Sequence, residues 1–114
     1  MTDTADTSDR DARIALLRTL AAESPGDATT QFLLGRELAS AGRAAEAATA
    51  FAAAIVADAA YTAAYRQLGN ALETAGRADE AADVYRRGAE VAARTQDLQA
   101  GKEMRAFLKR MGRD

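Results

Sequence analysis

LGRELASAGRAAEAA (Leu34–Ala48) lies over LGNALETAGRADEAA (Leu68–Ala82) with ten identities in fifteen positions, at an offset of 34 residues. Six of the matches are not alanine: Leu34/Leu68, Gly35/Gly69, Leu38/Leu72, Gly42/Gly76, Arg43/Arg77 and Glu46/Glu80. Self-similarity at such a period marks one supersecondary unit used twice. Each copy reads as a helix, a tight turn and a second helix. Gln31, Leu34, Gly35 and Leu38 fall on one helical face. Gly42 then supplies the positive φ that commonly ends a helix. Ala44, Ala47, Ala48, Phe51 and Ile55 form the stripe of the following helix. The second copy repeats this with Tyr65, Leu68, Gly69 and Leu72, a stop at Gly76, and Ala78, Ala81, Ala82 and Tyr85. Asp79 is a candidate N-cap for that last helix.

A glycine inside a helix costs about 1 kcal/mol relative to alanine. Its recurrence at Gly35 and Gly69 therefore predicts a packing role, in which the partner helix comes close. Ala47 and Ala81 are expected to face these glycines, with Phe51 and Tyr85 filling the space where each pair splays apart.

Composition agrees with an all-α chain. Of 114 residues 31 are Ala, whereas Ile and Val together number only five. A core with so few large side chains demands close helix contacts. There is no His and no Cys, which removes imidazole bases, thiolate nucleophiles, disulfides and the metal sites built on those ligands. No cofactor is expected. Net charge is −2, too balanced for a nucleic-acid binder. The polar, acidic start MTDTADTSDRDA is unlike a signal peptide, and no apolar run approaches a membrane span. A cytoplasmic location follows as an expectation.

The two copies carry a resemblance to the tetratricopeptide repeat family. Its pattern of an aromatic, Leu-Gly and a large residue, then Ala, an aromatic and Pro, appears as Gln31, Leu34-Gly35, Leu38, Ala47 and Phe51, and as Tyr65, Leu68-Gly69, Leu72, Ala81 and Tyr85. Gln31 replaces an aromatic, Gly88 stands for a small Ala, and Ala59 and Ala93 stand where Pro would close each unit. The resemblance extends outward: stepping back one period from Phe51 reaches Leu17, so RIALLRTLAAESPGD (Arg13–Asp27) reads as the second helix of a truncated unit. Asp27 is the candidate cap of the next helix. The expected layout is a disordered tail over residues 1–8, a capping helix over 9–27, units over 28–61 and 62–95, and a closing helix over 96–114. This is an α-solenoid of about six antiparallel helices, similar to small stand-alone bacterial members of the family.

A solenoid of this kind implies a concave face built from the first helix of each unit. Its candidate ligand residues are Phe32, Arg36 and Ser40, with Ala39 between them, and Arg66, Asn70, Glu73 and Thr74. Together they suit a peptide or helix of a partner protein carrying an acidic feature. Phe32 has a second reading as core under the N-terminal helix. Arg66 and Asn70, one turn apart, resemble two residues by which chaperone-binding relatives clamp a C-terminal carboxylate. The acidic N-terminal segment and the basic closing helix (Lys102, Arg105, Lys109, Arg110, Arg113) offer an alternative, a weak head-to-tail homodimer or scaffold; otherwise the chain is expected to be a monomer. Nucleic acid and membrane are not expected partners. Asp79, Glu80 and Asp83 form a carboxylate cluster, but at a helix start, where acids are favoured; with no nucleophile and base pair or phosphate loop beside it, no catalytic residue is assigned.

Overall fold

The computed structural model describes residues 2–114, with side chains from Ser8 onward. Six helices follow one another with no strand among the described residues: α1 (Thr2–Glu23), α2 (Ala28–Ser40), α3 (Ala44–Ala57), α4 (Thr62–Thr74), α5 (Ala78–Thr95) and α6 (Leu98–Arg110). The fold is the all-α stack of antiparallel helix pairs. α1 reaches back to Thr2, over the stretch expected as a tail. Asp3 and Asp6 then fall near the start of the helix, where the macrodipole favours negative charge. At the other end α1 stops at Glu23, before Pro25.

One device ends every first helix. Gly42, Gly76 and Gly112 take φ of 76°, 79° and 71°. The amide of the arginine after each glycine donates to a leucine carbonyl: Arg43 to Leu38 at 2.9 Å, Arg77 to Leu72 at 2.8 Å and Arg113 to Leu108 at 2.8 Å. This satisfies carbonyls that the helix end leaves orphaned. At the starts, Asp27 and Asp97 accept from the Thr30 and Ala100 amides at 3.3 and 3.2 Å. Asp79 is not a cap. Arg77 holds the N-cap position of α5, and Asp79 lies in the first turn, paired with Arg113.

α6 is a first-type helix, but out of period. The N-caps Asp27 and Tyr61 are 34 residues apart, whereas α5 has 18 residues against 14 in α3, and the next cap falls at Asp97. Gln96, in the left-handed region at φ 61°, ends α5. Counting from the caps, Arg105 of α6 takes the place that Gly35 and Gly69 hold in α2 and α4.

The core runs along the seams. A Cβ on Gly35 would lie 2.6 Å from the Phe51 ring, and Gly69 meets Tyr85 in the same way. The aromatics therefore sit at the closest approach and not where the helices splay, because each ring uses the space left by the missing Cβ. Ala47 and Ala81, both fully buried, let the backbones come near enough for this. Gln31, in place of an aromatic, is buried and donates through Nε2 to the Pro25 carbonyl at 3.4 Å. The equivalent Tyr65 hydroxyl donates to the Ala59 carbonyl at 2.9 Å.

Candidate functional site

First helices line one side of the stack: α2 touches α4 and α4 touches α6, while no contact joins α3 to α5. This inner face contains the expected ligand residues, but most are occupied.

Phe32 is core. It is only 9% exposed and stacks on Tyr61 at 4.9 Å between centroids, with Phe51 at 5.5 Å. Tyr61, at the turn into α4, covers the ring that would otherwise face the groove. Arg66 Nη1 donates to Glu103 Oε2 of α6 at 2.7 Å. Its guanidinium thus already faces a carboxylate of this chain, and the Arg66 and Asn70 pair is not open as a clamp. Glu73 receives Arg110 Nη2 at 2.9 Å, and the Tyr85 hydroxyl lies within hydrogen-bonding distance of both Glu73 and the Asn70 side chain. Thr74 turns its hydroxyl to the Asn70 carbonyl at 3.0 Å.

The electrostatics follow from these contacts. Burial penalises the Glu73 charge, but hydrogen bonds from Arg110 and Tyr85 prevail and hold the carboxyl below its ordinary value. Arg66 and Gln99 hold Glu103 down, and Thr62 with the Ala100 amide does the same for Asp97. Burial, then the Glu73 charge, drive the Tyr85 phenol well above its usual range, so it remains a donor. The inner surface of α4 is thereby a docking surface for α6.

What stays open lies around α2. Arg36 and Ser40 are exposed, and Arg36 makes no hydrogen bond or ion pair among the described residues. They line a groove of about 290 Å³ between α1 and α2, together with Leu17, Leu33 and Glu37. A smaller groove of about 100 Å³ between α2 and α4 holds Ala39, Gln67, Asn70 and Thr74. Leu33, at 41% exposure, and Leu16 and Leu20 on α1, at 59% and 41%, extend the apolar part of this region. These leucines were not among the expected ligand residues. The signal for them was the truncated unit: a second-type helix without its first helix leaves a stripe bare.

The outer face of α6 is basic, with Arg86, Lys102, Arg105, Lys109 and Arg113 around a groove of about 510 Å³. It does not match the apolar stripe of α1, and Arg105 stands where a close seam needs glycine, so head-to-tail stacking of copies in the repeat register is obstructed. The expected carboxylate cluster is a set of surface ion pairs, Asp79 with Arg113, Glu80 with Arg77 and Asp83 with Arg86. No described helix is long and apolar enough to cross a membrane.

Comparison with known proteins agrees with this geometry. No curated protein matches the chain. A family model described as tetratricopeptide repeat matches residues 7–89, which takes in α1 from its first turns, both glycine seams and most of α5. The chain belongs to the tetratricopeptide repeat family.

Proposed function

We propose that the protein is a non-catalytic interaction module that binds a segment of a partner protein along the inner face of α2, between α1 and α4. Repeats of this family generally mediate protein–protein contact. The observation that carries the finer reading is the contrast between two arginines: Arg66 is neutralised by Glu103, whereas Arg36 has no ion pair among the described residues and sits beside exposed Leu33 and Ser40. A guanidinium beside an apolar groove suits a ligand with a carboxylate and large apolar side chains. Asn70 and Thr74 border the same surface and add hydrogen-bonding capacity. The setting we propose is the cytoplasm.

A peptide-display selection on the full chain tests this. Enriched sequences should carry Asp or Glu among apolar residues, and Arg36→Ala should weaken their binding about tenfold. Arg36 and Leu33 are exposed enough that single alanines should leave the helix content intact. A selection that retrieves no binder, or binders indifferent to both Arg36→Ala and Leu33→Ala, refutes the proposal.

A further inference from the structure

The two open grooves on the inner face are the same groove, one period apart. Between α2 and α4 it is lined by Gln67, Asn70, Ala71 and Thr74 from α4, and by Ala39, Gly42 and Ala44 from α2 and the turn after it. Between α1 and α2 it is lined by Leu33, Arg36, Glu37 and Ser40. Each of these four stands 34 residues before its counterpart on α4. What α2 contributes to the first groove has no equivalent in the second, which is accordingly wider.

The same comparison accounts for the bare leucines of α1. One period separates Leu17 from Phe51, Leu16 from Ala50 and Leu20 from Ala54. Those three residues of α3 are nearly or wholly buried, with Phe51 directly beneath Gly35 of α2. Leu16 and Leu20 are 59% and 41% exposed, and Leu17 is half-buried. The N-terminal unit thus presents the complete receiving surface for a first-type helix, namely the stripe of its own second helix and the flank of the next first helix. Within this chain that surface is filled twice, by α2 on α3 and by α4 on α5.

We infer that the α1–α2 groove binds an amphipathic α-helix of a partner protein, which takes the place of the first helix of this unit. The inference rests on the proposed interaction function and specifies the class of ligand. The chain itself dictates the ligand's chemistry. A small residue must lie over Leu17, as Gly35 lies over Phe51, with leucine-type residues on either side to cover Leu16 and Leu20. A carboxylate belongs at the position matching Ala39 of α2. There Ala39 neighbours Asn70, and the counterpart of Asn70 in the open groove is the unpaired Arg36. α6 of a second copy meets none of these needs, since it carries Arg105 at the glycine position and lysines beside it.

The probe is a peptide of residues 28–42 of this chain, lactam-stapled on its solvent face, with and without Ala39→Glu, titrated into the full-length protein and followed by NMR. Shifts should concentrate on Leu16, Leu17, Leu20 and Leu33, and the Ala39→Glu form should bind about fivefold more tightly, an advantage that Arg36→Ala in the protein abolishes. Leu20→Glu, at an exposed site, should weaken binding about tenfold with helix content unchanged. If a proline-containing extended acidic peptide binds through Arg36 and the stapled helices do not, the interaction function stands and the helical occupant is overturned. If the protein alone sediments as a dimer that Leu20→Glu converts to monomer, a second copy fills the groove and the inference is likewise overturned. Failure of the stapled helices and of every peptide from a display library removes both readings.

Discussion

Gly35 and Phe51 meet face to ring, with 2.6 Å separating the ring from the point where a Cβ would stand. Substituting alanine gains about 1 kcal/mol of helix propensity, but it forces the ring out of a fully packed seam. Overpacking of this kind typically costs about 1 to 3 kcal/mol. Gly35→Ala should therefore lower the melting temperature, and the pair Gly35→Ala with Phe51→Leu should be less unstable than the two single effects summed. A double-mutant cycle on thermal melts checks this; strict additivity would show that the contact is not the cause.

Phe32 belongs to the same core through Tyr61 and Phe51. Phe32→Ala should cost about 3 to 5 kcal/mol, seen as a lower denaturation midpoint. Arg36→Ala, at an exposed position without partners among the described residues, should change stability by no more than about 0.5 kcal/mol. The two substitutions separate packing from recognition within one helix, and equal effects on stability would contradict the assignment.

α6 is held on α4 by carboxylates. Glu103, Glu73 and Asp97 are all kept below their ordinary values by the partners that tie the two helices. A carboxyl with a depressed folded-state value favours the folded form above its unfolded value, and that contribution is lost as pH falls through the folded one. Acidification below about pH 4.5, the ordinary Glu value, should loosen α6 before the α2–α3 seam. Amide exchange across a pH series should show this order, and Glu103→Gln should reduce the slope for α6.

Tyr85 combines a ring in the seam with a hydroxyl at Glu73 and Asn70. Tyr85→Phe keeps the ring against Gly69 and removes the donor to a charged acceptor. A loss of about 1 to 2 kcal/mol is expected, with the fold and the α4–α5 seam retained. A cost near zero in chemical denaturation would mean that water replaces the hydroxyl fully.

The repeat made the seams and stops legible because both are local consequences of residue identity at fixed spacing: Gly35 and Gly69 admit a ring, Gly42 and Gly76 turn the chain. The position of α6 was not legible from that period. α5 runs past its counterpart before Gln96 stops it, and nothing in the alignment of the two units marks the slip. The site suffered more. Arg66, Asn70 and Glu73 lie on the expected face, but α6 supplies Glu103 and Arg110 across 37 residues of sequence, a pairing set by tertiary packing alone. Phe32 has the right helical position for a groove, yet Tyr61 arrives from the preceding turn to cover it. Leu16 and Leu20 carried the opposite lesson: their exposure follows from which helix of the unit is present.

The contacts between helices form a nearly linear chain, with α1 packed on α2 alone apart from the Arg18–Glu46 ion pair to α3, and α4 gripped by α2, α3, α5 and α6. Stability in such an array is a sum over neighbours, so opening can proceed from one side without crossing a global barrier. Release of α1 breaks one interface and uncovers Leu34 and Leu38 for a competitor, while α4 cannot leave without dismantling the stack. The element that carries the bare leucines is thus also the one held by fewest neighbours. A ligand helix that clamps it against α2 would act as a brace, slowing exchange and proteolysis at α1 far more than at α4.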